Sequence, residues 1–172
     1  MMEFVEEMHT AIYDLLDLEY YWNEDRKYRS VNDLVLIPTG DGYGVAFHTK
    51  IPDQQILNIT RDIYLRLAKG AFFKFRMGVA KANNVVTLDL NGNVNVFGVG
   101  IVMATRVCTA AQTGQILVHE DFAKSLLQSN EVPQLKKVPT LQVKHGLEID
   151  CYNYAGIHEE QPFGLPDNKA VG

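Results

Sequence analysis

The sequence predicts an α+β fold built as one domain, and three observations predict it. Amphipathic helical stretches alternate with strand-like runs that come singly and in pairs. The 172 residues are 47% apolar and 22% charged, which supports one real core and leaves two cramped. No internal repeat or low-complexity linker divides them. The expected architecture is a sandwich in which a sheet is covered mainly on one face.

The elements follow in order. Glu3–Leu18 puts Phe4, Val5, Met8, Ile12, Leu15 and Leu16 on one side and its acids largely elsewhere, an amphipathic helix. Glu19–Ser30 is dense in aromatics, Trp22 included, and charge, and reads as the helix end plus a loop that packs onto the core or, through its tyrosines and Trp22, at an interface. Asp33–Phe47 is a β-hairpin: an apolar run ends at Pro38, Tyr43, Val45 and Phe47 alternate after Gly42, and Asp41-Gly42 offers the positive φ angles of a tight turn. Pro52–Lys69 is a second amphipathic helix, with Ile56, Ile59, Ile63, Leu67 and Ala68 inward, Asp53, Arg61, Asp62 and Arg66 outward, and Gly70 closing it. Phe73–Ala80 and Val85–Leu90 read as strands, with Asn91-Gly92-Asn93 a turn.

The stretch Asn95–Gln128 is the richest. Gly98 and Gly100 free the backbone for a sharp turn or a close approach, and Ile101, Val102, Ala104, Val107, Cys108 and Ala111 then recur at helical spacing. Arg106 shares a face with Val102, four residues earlier, on a helix otherwise nearly uncharged. Gly114 stops that helix, Gln115–Val118 is a short buried strand, and another helix begins near Glu120. Pro133–Pro139 reads as a loop, Thr140–Lys144 and Glu148–Tyr154 as a terminal hairpin around His145-Gly146, and the segment 157–172 as a flexible tail after a domain spanning 1–156.

Composition excludes several classes. Sixteen basic against 21 acidic residues give a net charge of -5, which argues against a nucleic-acid footprint and leaves room for a small nucleotide bound with metal ions. The first residues lack the basic start and apolar run of a secretory signal, and no apolar run reaches membrane-spanning length. Cys108 and Cys151 have no partners at metal spacing and read as reduced thiols of a cytoplasmic protein. Asp41, at a hairpin tip between two glycines, suits either a turn or a metal ligand.

Four blocks in register carry a resemblance over nearly the whole chain: Pro38-Thr39-Gly40-Asp41-Gly42, Phe75-Arg76-Met77-Gly78-Val79, Phe97-Gly98-x-x-Ile101-x-x-Ala104-x-Arg106, and Gly114-Gln115-Ile116-Leu117-Val118. The sequence resembles the class III nucleotidyl cyclases, the adenylate and guanylate cyclase catalytic domains. The resemblance implies a ferredoxin-like sandwich with a mostly antiparallel sheet covered by helices. It also implies a phosphorus-oxygen lyase reaction used in signal transduction, in which a nucleoside triphosphate becomes a 3′,5′-cyclic nucleotide with Mg2+ or Mn2+ at a two-metal site. A homodimer that shares its sites, with no nucleic acid and no membrane as partner, is the implied assembly.

Residue by residue, the resemblance assigns Asp41 to catalysis as a metal ligand and Arg106 to the charge developing at phosphorus. Gly40, Gly42 and Gly98 flank the substrate. Asn95 stands at a base-recognition position, and Ile37 replaces a base-reading lysine of adenylate cyclases. Val102 stands where the family has its ribose-orienting asparagine, and Lys144 or His145 where it has a triphosphate-binding lysine. The family's first metal aspartate precedes the helix with which this sequence opens. One carboxylate holds two ions poorly, so impaired turnover is expected. The alternatives are a degenerate homologue that binds nucleotide or a regulatory partner, and a purely structural dimerisation domain.

Overall fold

The structure is a computed structural model and describes Thr10 and residues 34–40, 42–47, 50–70, 75–128 and 134–155. The expected first helix, the aromatic stretch after it, Asp41 and the C-terminal tail lie outside the described residues. Ten strands and three helices are described: β1 (Leu34–Pro38), β2 (Tyr43–Phe47), α1 (Asp53–Gly70), β3 (Met77–Val79), β4 (Asn84–Leu88), β5 (Val94–Gly98), α2 (Val99–Ala110), β6 (Ile116–His119), α3 (Glu120–Leu127), β7 (Leu135–Lys137), β8 (Leu141–Val143), β9 (Leu147–Ile149) and β10 (Cys151–Tyr154). The architecture is α+β and mostly antiparallel, as expected.

A four-stranded sheet in the order β3-β6-β10-β7 forms the centre, with β3 and β6 parallel and β10 antiparallel to both of its neighbours. The expectation that helices cover mainly one face is corrected here. Ile116 and Val118 of β6 pack with Leu57 and Tyr64 of α1 and Phe122, Ala123 and Leu126 of α3. Leu117, between them, points to the opposite face, where Val107 and Ala111 of the α2 region, Ile149 and Cys151 enclose it. A strand buried on both faces reads as an unbroken apolar run rather than an alternation, and all four residues of β6 are buried.

The β1–β2 hairpin is aligned from Leu34 opposite Phe47 to Pro38 opposite Tyr43. Leu34, Leu36, Tyr43, Val45 and Phe47 pack on Ile59, Ile63 and Leu67, so α1 carries two apolar stripes, one for the hairpin and one for the sheet. The tip differs from the expected Asp-Gly turn. Gly40 holds the positive φ, 89°, Gly42 does not, and the Thr39 N–H donates to the Gly42 carbonyl at 3.0 Å. The turn is therefore closed between Thr39 and Gly42, with its positive φ at Gly40.

Four further segments differ from the sequence reading. Val94–Gly98, given no element in the sequence reading, is a strand paired with β4. The strand expected over Phe73–Ala80 is only Met77–Val79 among the described residues. Leu135–Lys137, taken as part of a loop, is an edge strand paired with β10, and its two lysines suit an edge that must not recruit further strands. The arm Glu148–Tyr154 breaks at Asp150, whose carboxylate accepts from Thr140 Oγ1 (2.7 Å) and Lys137 Nζ (3.1 Å) and whose carbonyl accepts from the Glu120 N–H. Residues before the break pair with β8 and those after it join the central sheet.

Candidate functional site

The site is organised by α2. A helix begins with unsatisfied N–H groups, and the residue before α2 is Gly98, which has no side chain to offer and sits at φ 148°. The cap comes instead from β4: Asn84 Oδ1 accepts from the Gly100 N–H at 3.0 Å and the Ile101 N–H at 3.4 Å. A Cβ on Gly98 would stand 2.7 Å from that oxygen, and one on Gly100 would overlap the same carboxamide. The glycines expected to permit a close approach do so, and what they approach is Asn84.

The far end and the middle of α2 are fixed too. Arg76 Nη1 donates to the carbonyls of Thr109 (3.0 Å) and Ala111 (3.1 Å), where a cation also suits the helix C-terminus. Gly78 lets β3 lie against the backbone of Ala104 and Cys108, with no space for a side chain. Met103, Val107 and Ala110 face the core. Thr105 and Thr109, on the outer side, return their hydroxyls to carbonyls one turn back. Val102 is 49% exposed, and Arg106, on the same side, is half-buried and makes no hydrogen bond or ion pair among the described residues.

The other sequence-derived positions fall on elements that adjoin one another. Gly40 and Gly42 end the β1–β2 hairpin, and β1 runs beside β5. Asn95, on β5, is half-buried, lies opposite Thr87, and spends its carboxamide oxygen on the Val96 N–H at 2.7 Å. That strand leads through Gly98 into α2. Lys144 is exposed in the short 3-10 turn Lys144–Gly146 that joins β8 to β9, and Leu141 and Val143 of that hairpin pack against the core that holds Val107 and Ile149. The strands β1 and β5, the helix α2 and the strand β8 are thus consecutive neighbours.

Among the described residues no three His, Cys, Asp or Glu side chains come together as a metal site, and Asp41 lies outside them. No described helix is long and apolar enough to cross a membrane. Neither cysteine is in a disulfide; Cys151 is buried, and Cys108 is only partly so. Two contributions were missed by the sequence reading. Asn84 signals itself only as a polar residue at the start of a strand. Asp53, expected to face outward, accepts from Lys81 Nζ at 2.6 Å and Ser125 Oγ at 2.5 Å, tying α1 to α3 and to the segment after β3.

No family model and no curated protein matches the chain. Solved structures do. The guanylate cyclase domain of RhGC from Catenaria anguillulae, in complex with GTP, is 20% identical over 86% of this chain and 83% of its own, with a TM-score of 0.56. An adenylate cyclase from Trypanosoma brucei in its monomeric state is 14% identical over 92% and 81%, at 0.63. The dimeric guanylyl cyclase domain of the RhoGC fusion protein from the aquatic fungus Blastocladiella emersonii is 21% identical over 87% and 84%, at 0.56. The chain has the fold of the class III adenylate and guanylate cyclase catalytic domains.

Proposed function

We propose that this chain is a nucleotidyl cyclase-like domain that binds a nucleoside triphosphate and converts it slowly to a 3′,5′-cyclic nucleotide, as a cytoplasmic homodimer. Arg106 carries the reading: a guanidinium on a helix held at both ends, with no hydrogen bond or ion pair among the described residues. In that role it stabilises negative charge growing on the α-phosphate as the ribose 3′-hydroxyl attacks. Gly40 and Gly42 would let phosphate oxygens near the backbone, Asn95 would meet the base, and Lys144 the triphosphate. Asp41 is the carboxylate that would hold Mg2+ or Mn2+, which when bound neutralises phosphate charge.

The test is cyclic nucleotide formation by the full chain from ATP, GTP, CTP and UTP with Mn2+. Slow product from at least one is expected, with Arg106→Ala lowering kcat by roughly a hundredfold. Silence with all four sinks the cyclase reading. Val102 favours a second reading, nucleotide binding without turnover, because an exposed apolar side chain offers a ribose no hydrogen bond. Heat on nucleotide titration without product selects that reading. If turnover is only slowed by this position, Val102→Asn raises kcat, by about tenfold for one restored hydrogen bond. The exposed apolar residues of β4 and β5, Val85 opposite Phe97 on one face and Val86 and Leu88 on the other, support the homodimer; a monomer in sedimentation at high concentration would remove that part of the proposal.

A further inference from the structure

We propose that Asn84 is a positioning residue, fixing through its cap on α2 where that helix presents Arg106. The inference rests on the cyclase reading above. A helix is ordinarily capped by the residue just before it, whereas here the cap comes from 16 positions upstream and belongs to another element. Its orientation is dictated: the carboxamide nitrogen donates to the Ala82 carbonyl at 3.1 Å, leaving the oxygen to face the Gly100 and Ile101 N–H groups. Asn84 also stands opposite Gly98 in the β4–β5 ladder, so one side chain joins β4, β5 and the first turn of α2.

Arg106 lies about one and a half turns beyond the capped N–H groups. With Arg76 holding the C-terminal carbonyls and Gly78 packed against Ala104 and Cys108 in the middle, loss of Asn84 frees the N-terminal end and lets the helix tilt about those inner contacts, which flank the arginine. A group that stabilises a transition state is sensitive to displacements of an ångström or so. The cap therefore acts on the rate rather than on affinity for substrate.

The test is a set of variants of the full chain, assayed with saturating nucleoside triphosphate and Mn2+. Asn84→Ala is expected to lower kcat roughly tenfold while KM stays within about twofold. Asn84→Asp keeps the capping oxygen but loses the donor to the Ala82 carbonyl, and restores part of the rate. In an Arg106→Ala background the alanine change costs less than about twofold, since no guanidinium is left to misplace. Amide exchange at Gly100 and Ile101 reads the cap without activity: faster in Asn84→Ala, slow again in Asn84→Asp. Asn84→Ser, a side chain one bond shorter, takes the place of the alanine variant if that fails to fold. Losses that multiply with Arg106→Ala, a wild-type rate in Asn84→Ala, or unchanged exchange each overturn the inference alone. A wild-type chain silent with all four nucleotides overturns the cyclase reading and this role together.

Discussion

On one face of the four-stranded sheet, α1 and α3 bury Leu57, Tyr64, Phe122, Ala123 and Leu126 against Ile116 and Val118. On the other, α2 buries Val107 against Leu117 and Cys151 but turns Arg106 and Val102 away from the core. The first face is secured by apolar area. The second is secured by a smaller core plus backbone contacts at Gly78, Arg76 and Asn84, which grip the helix from one side and leave the other open. A helix that must hold a charged group in place for chemistry cannot also bury it, so its rigidity has to come from its ends and its inner backbone.

The sharpest way to break the comparison is to exchange the expected costs of the two faces. Phe122→Ala removes a fully buried ring from the first face, and a loss of about 3–5 kcal/mol in urea unfolding is expected. Arg106→Ala should change stability by less than about 0.5 kcal/mol, because it removes no hydrogen bond or ion pair among the described residues, while it abolishes most of the rate. Comparable stability losses from the two would mean that Arg106 is a structural residue. Gly78→Ala lies between them. Its methyl would meet the Ala104 carbonyl and the Cys108 backbone, so a loss of about 1–3 kcal/mol is expected, together with a lower kcat as α2 is pushed off β3. Destabilisation with an unchanged rate would show that α2 tolerates displacement.

What was legible in the sequence follows the same division. The β1–β2 hairpin, α1 and α2 announce themselves through local chemistry: glycines at a tip, a 3.6-residue apolar period, a glycine stop. The short apolar run Ile116-Leu117-Val118 held the signal that the sheet is covered on both faces, but an apolar run of that length does not say what covers it. Leu135–Lys137 was hidden because Pro133, Pro139 and two lysines are what a loop and an edge strand have in common. The break at Asp150 depends on Thr140, Lys137 and Glu120, contacts that no local pattern encodes. The blocks put Arg106 and Val102 on a helix and Gly40 and Gly42 at a hairpin, which is where the structure has them. They were silent on Asn84, because a cap donated across a hairpin has no fixed spacing from its helix.

The smallest expected effect sharpens the comparison through pH. Burial, with Asp150 and Glu120 adding to it, pushes the Cys151 thiol on the α2 face up to about 11, and burial also raises Tyr64 on the α1 face. A neutral acid raised on folding keeps its proton in the native state after the unfolded chain has lost it. Its contribution is fully present below the ordinary thiol value of 9.0 and is lost as pH rises towards 11. The urea midpoint of the wild-type chain should therefore fall between about pH 9 and pH 11. Cys151→Ala opens a small cavity and lowers the midpoint at every pH, so the slope decides: it should be shallower than wild type, and Tyr64→Phe should flatten it independently. If Cys151→Ala declines as steeply as the wild type, the thiol is not shielded from water, and the core beneath α2 is looser than the burial of Val107, Leu117 and Cys151 requires.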